Sequence, residues 1–132
     1  MTKTEQADFN TFKVECEKWS KILGLSDWEI KYIPTVPNIE DEINEECYKA
    51  WVTFDSDACL ACVHFNTKWR EVEDVGCKEI DIGLSAFHEM CEILVADLMR
   101  LTHSRYNVCE EDINVSKHKL IHRLENCIFR RN

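Results

Sequence analysis

Residues 86–98 read AFHEMCEILVADL, and the run His88-Glu89-Met90-Cys91-Glu92 within it decides how the rest of the chain is to be organised. A helix carrying His-Glu-x-x-His presents two imidazoles on one face, one turn apart, where they share a zinc ion, with the Glu between them as general base. Here a carboxylate, Glu92, stands where the second imidazole belongs. Zinc accepts carboxylate oxygen as well as imidazole nitrogen, and open sites commonly combine two His, one carboxylate and a water. Glu92 is therefore chemically competent as a ligand, and the set needs one more imidazole from elsewhere in the chain. The flanking residues Phe87, Met90, Cys91, Ile93, Leu94, Val95, Leu98 and Met99 are apolar. Charged groups embedded in such a helix need partners, and a metal ion is one way to supply them. The plainer alternative is a solvated acidic pair beside a structural histidine.

The chain around this helix has 132 residues, enough for a single domain, 1–132, with one modest core. A hydrophobic content of 45% with only 3 Gly and 2 Pro marks a globular protein and excludes a disordered one. No apolar run approaches the roughly 20 residues of a membrane span. The start, MTKTEQADFN, lacks the apolar core of a secretory signal, so a cytoplasmic location is expected. Cysteines there are kept reduced. The eight cysteines are mostly scattered singly; the close pair Cys59 and Cys62 has no second pair to complete a zinc ribbon, so they read as small buried hydrophobes. A net charge of −9 argues against nucleic acid as a partner. Its densest source, NIEDEINEE at 38–46, reads as an acidic, solvated loop, with a phosphate-mimicking decoy as the weaker alternative.

Periodicity supplies the remaining elements. Phe9, Phe12, Cys16, Trp19 and Leu23 draw one apolar stripe along a first helix, and Gly24 ends it. DWEIKYI (27–33) alternates as a strand. YKAWVTF and CLACVHFN, joined by DSDA, predict a hairpin, with strand 59–66 as its second arm. Two helices follow, from about Lys78 to Leu101 and from about Val108 to Phe129, the latter opened by an Asn107/Glu110 capping box. The order predicts an α+β domain: an N-terminal helix, a small antiparallel sheet, and two C-terminal helices packed as a hairpin.

That hairpin selects the missing imidazole. With the turn near Ser104–Arg105, position 88 faces about 121 and position 92 faces about 117, so His118 and His122 are level with the site and His103 is not. Taking Leu120, Leu124, Cys127 and Ile128 as the buried stripe places His118 at its margin, next to Ile121 and Glu125, and turns His122 toward solvent. The expected ligands are His88, Glu92 and His118, with Glu125 as a supporting partner of His118.

AFHEMCEILVADL followed by HKLIHRLENCIF, and the stretch from LGLSDWEIKY through the hairpin, resemble the small zincin-like metallopeptidases of bacteriophage genomes. The resemblance implies a compact zincin-like core, with strands flanking the metal-binding helix and an edge strand that receives an extended peptide. It makes His88 the first ligand and Glu89 the catalytic acid–base, while Glu92 departs from the family motif. The expected function is that of a zinc-dependent peptidase acting in the host bacterial cytoplasm. Strand 59–66 would hold the peptide or protein substrate by backbone pairing; His64 within it faces either the cleft or an ordinary strand environment. The alternative is a catalytically inactive protein of the same fold that binds a host protein.

Overall fold

The first helix begins with a reciprocal cap. The Thr2 hydroxyl accepts from the Glu5 backbone N–H at 3.1 Å, and the Glu5 carboxylate accepts from the Thr2 N–H at 2.8 Å. From that cap α1 runs Lys3–Ile22 and buries Phe9, Phe12, Cys16 and Trp19 along one face. Gly24, at φ +70°, lets the chain turn off the helix, and the Leu25 N–H reaches back to the Ser20 carbonyl at 2.9 Å. The computed structural model describes residues 1–36, 49–71, 79–96, 99 and 110–130. The acidic stretch 38–46, His103, the link 102–107 and the Asn107 cap lie outside the described residues.

Three strands follow: β1 (Glu29–Thr35), β2 (Ala50–Asp55) and β3 (Leu60–Asn66). Between β2 and β3 the Asp55 carboxylate accepts from the backbone N–H groups of Asp57 and Ala58, and Cys59 closes the turn at φ 52°. Cys59 thus belongs to the turn rather than to the strand. The spatial order is β1-β3-β2, with β2 antiparallel and β1 parallel to β3. This mixed sheet replaces the antiparallel one expected. Alternation within a strand records which residues share a face, but not which strand lies beside it or in which direction it runs.

Ala61, Val63 and Phe65 of β3 point inward to meet α1 and α2, the latter spanning Glu79–Leu94. Phe12 packs on Phe65 at 4.9 Å between ring centres, and Trp19 meets Phe87 edge-on at 4.7 Å. Aromatic pairs of this kind contribute about 0.5–1.5 kcal/mol beyond the area they bury. Helical bonding continues past Leu94, from the Val95 N–H to Cys91 and from the Met99 N–H to Val95. Helix α3 covers Glu110–Leu124 and widens into a π-helical turn, Glu125–Phe129.

Asp8 ties α1 to the short 3-10 turn Trp69–Glu71 beyond β3. Its carboxylate accepts from Arg70 Nε at 2.6 Å, Arg70 Nη2 at 2.8 Å and Trp69 Nε1 at 3.1 Å. No described helix is long and apolar enough to cross a membrane.

Candidate metal centre

His88, Glu89 and Glu92 sit in the C-terminal half of α2, where Phe87, Met90 and Cys91 are buried in the core. That packing fixes the helix rotation and sends His88 and Glu92 toward α3. Contacts between the helices pair position 88 with 125 and position 92 with 117 and 118, so α2 and α3 run antiparallel.

His88 Nδ1 lies 2.8 Å from Glu125 Oε1. With Glu125 as carboxylate the ring nitrogen donates, leaving the Nε2 lone pair free. His118 Nδ1 lies 2.9 Å from the Asn114 carbonyl, which can only accept, so Nδ1 again carries the hydrogen and Nε2 is free. Both free nitrogens face one atom: Glu92 Oε1 is 3.9 Å from His88 Nε2 and 3.9 Å from His118 Nε2. One donor atom from each of the three residues falls within 4.8 Å of the others.

Donors bound to one tetrahedral ion at ~2.1 Å stand about 3.4 Å apart. Closing the site around an ion therefore needs only small side-chain movements, and the fixed tautomers already present the correct nitrogens. Two imidazoles and a carboxylate suit zinc and its neighbours in the first transition row. The donor set fits such an ion.

Glu89 is buried on the same helix, and its Oε2 has no hydrogen-bond partner among the described residues. Burial pushes its carboxyl up to about 8; Glu92 adds to the rise and the Lys117 ammonium opposes it. Lys117 Nζ is 3.1 Å from Glu92 Oε1, so Glu92 already has a cationic neighbour.

Three expectations need correction. Glu125 supports His88 rather than His118. Of the expected stripe on the last helix, Leu124 and Ile128 do pack on the core, but Ile113 and Ile121 of α3 and Glu125 just beyond it are more deeply buried, so the face is wider than expected. Strand 59–66 cannot take up a peptide along its edge, because β3 is the central strand and is hydrogen-bonded on both sides.

His64 is not part of the centre. Its neighbours Val63 and Phe65 face the core, so it projects from the opposite side of the sheet. There it stacks on Trp51 at 5.0 Å, and its Nδ1 lies 3.1 Å from Thr35 Oγ1. His122, expected to face solvent, is exposed yet stands over the site, with Nδ1 3.5 Å from Glu125 Oε2. The partnership of Glu125 with His88 and the proximity of Lys117 were missed in the sequence. The antiparallel register, which sets 92 opposite 117, was the signal for Lys117, whereas Glu125 lies one helical turn beyond the position expected to face 88.

Comparison with protein-family models, curated proteins and solved structures gives no match for this chain. The functional reading therefore rests on the residues themselves.

Proposed function

We propose that the protein is a zinc-binding, zincin-like metal-dependent hydrolase whose reaction is the cleavage of a peptide bond. The observation that carries this reading is the convergence of two Nε2 lone pairs, His88 and His118, on the Glu92 carboxylate, each ring held in the required tautomer by an acceptor on Nδ1. Such acceptors raise ligand basicity and hold ring orientation in metal sites. A zinc ion held by these residues supplies Lewis acidity, polarising a carbonyl and acidifying water.

The chain's own contribution is to place and exchange the proton. Glu89 follows His88 directly, and its burial raises the carboxyl toward the range in which a general base or acid works best near neutral pH. In this reading it accepts the proton of the attacking water and returns it to the leaving amine. Glu125 holds His88, and the core contacts of Phe87, Met90 and Cys91 keep the helix from rotating. An extended substrate would pair with the edge of β2 that no described strand covers, because α2 packs against that strand and β3 is hydrogen-bonded on both sides.

A second reading is favoured by one observation: with its carboxyl at about 8, Glu89 holds its proton at neutral pH in the absence of a cation. On that reading the fold is retained as a binding protein for a host partner.

The test is metal content and turnover in full-length, tag-free protein. Close to one zinc per chain is expected, lost in His88→Ala. Glu89→Gln should keep the metal and abolish cleavage of a panel of quenched fluorescent peptides. Trace zinc that is not retained on addition would end the metal reading; full zinc without cleavage of any peptide would favour the binding protein.

A further inference from the structure

Three imidazoles, not two, gather above Glu92. The ring centres of His88 and His118 are 5.9 Å apart, those of His88 and His122 are 6.3 Å apart, and those of His118 and His122 are 6.4 Å apart. They form a nearly equilateral triangle. Rings sharing one tetrahedral ion through Nε2 at ~2.1 Å would stand about 5 Å apart centre to centre, so each side is only about 1 Å too long.

The third ring shares an acidic neighbour with His88. Glu125 is a buried carboxylate that divides its oxygens, with Oε1 on His88 Nδ1 at 2.8 Å and Oε2 on His122 Nδ1 at 3.5 Å. At 3.5 Å this contact is too long to fix the His122 tautomer, unlike the 2.8 Å bond on His88, so the His122 ring is the less restrained of the two. His122 and His118 also line one shallow groove on α3, together with Glu110, Glu111, Asn114 and Val115. His122 differs in freedom: its side chain is 63% exposed and outside the closest donor group, so rotation about its own torsions can carry it in or out.

We infer that His122 is an exchangeable fourth ligand of this centre. The inference rests on the metal-binding reading above and adds a regulation to it. With His122 engaged, three nitrogens and one carboxylate oxygen fill a tetrahedral set and close the site. With His122 rotated into the groove, the same centre keeps three protein ligands and one position open to solvent. The nitrogen-rich closed set favours Zn2+, Co2+, Ni2+ and Cu2+ over Mg2+, Ca2+ and Mn2+, which prefer all-oxygen surroundings.

Co2+ titration of the tag-free full-length chain tests this, because visible absorption reports coordination number independently of turnover. The parent should bind one Co2+ with the intense bands of a four-coordinate ion, unchanged by moderate azide. His122→Ala alters an exposed side chain and should leave the fold intact by circular dichroism. It should still bind one Co2+, but at least roughly 10-fold more weakly, since losing even a hydrogen-bond partner of a ligand costs that much. Its spectrum should now shift when azide is added. Parent-like affinity and spectrum in His122→Ala, with metal lost in His88→Ala, would overturn the fourth ligand and leave the three-residue site standing. Complete loss of Co2+ in His122→Ala would make the residue an obligatory ligand and overturn the exchange. Failure of the parent to bind Co2+ or Zn2+ would remove the centre and the inference together.

Discussion

The Lys117 ammonium lies 3.1 Å from the same Glu92 oxygen that faces His88 and His118. It is well covered, with 17% of its side chain exposed, so solvent screens it less than a surface lysine. That one charge acts on both carboxyls and on any incoming ion. Lys117 neutralises Glu92 when no ion is bound and holds down the rise of the Glu89 carboxyl. It also repels an incoming dication and competes with it for the Glu92 oxygen. Lys117→Met keeps much of the stem and removes the charge, so it should tighten zinc binding several-fold in competition against a chromogenic chelator. Weaker binding instead would show that Lys117 orients Glu92 and does not compete for it.

Helix α3 shows how far a sequence pattern reaches and where it stops. The apolar stripe of α1, the two arms of the hairpin and the helical character of residues around His88 are all legible, because a single core face imposes each pattern. The rotation of α3 was legible only in part: Leu124 and Ile128 do pack on the core, as the stripe required. Its buried face carries Ile113, Ile121 and Glu125, with Lys117 largely covered between them, so polar residues interrupt the stripe. They are tolerated because the facing turns of α2 offer His88 and Glu92 as partners. The candidate centre thus hid the pattern that would have oriented the helix. The place of β3 between β1 and β2 was hidden for another reason: it depends on pairing between distant segments. The observed rotation predicts unequal costs along α3. Ile121→Ala should destabilise by about 2–5 kcal/mol, the range for emptying a fully packed aliphatic site. Val115→Ala, half exposed, should stay within about 0.5 kcal/mol of the parent. Urea unfolding of the two variants decides it, and equal costs would mean that the helix is turned differently.

Across the molecule, two buried carboxyls shift in opposite directions and give its stability two pH-dependent arms. Arg70 holds the Asp8 carboxyl below its usual value, helped by the Trp69 indole N–H and opposed by burial. A carboxyl lowered in the folded state adds stability that is fully present above its unfolded value, about 3.9. That contribution is lost as pH falls through the lower folded value. Glu89 has the reverse sign. Burial raises it to about 8, so between its unfolded value of about 4.3 and that pH the folded chain binds more protons than the unfolded one. Stability from this group declines as pH rises through that window and levels off above it. In chelator-treated protein, Asp8→Asn should weaken the fold at neutral pH and flatten the acid arm. Removing a charged hydrogen bond of this kind costs about 1.5–3 kcal/mol. Glu89→Gln should flatten the other arm and leave the protein more stable than its parent above pH 8. Urea midpoints at intervals from pH 3 to 9 measure both slopes, and parallel curves for Glu89→Gln and parent would show that Glu89 is not proton-linked to folding. Zinc then separates this linkage from simple burial. A dication held by His88 and Glu92 lowers the neighbouring carboxyl, so zinc should flatten the neutral-to-alkaline arm more in the parent than in Glu89→Gln, where the ligands' own proton release is the linkage that remains.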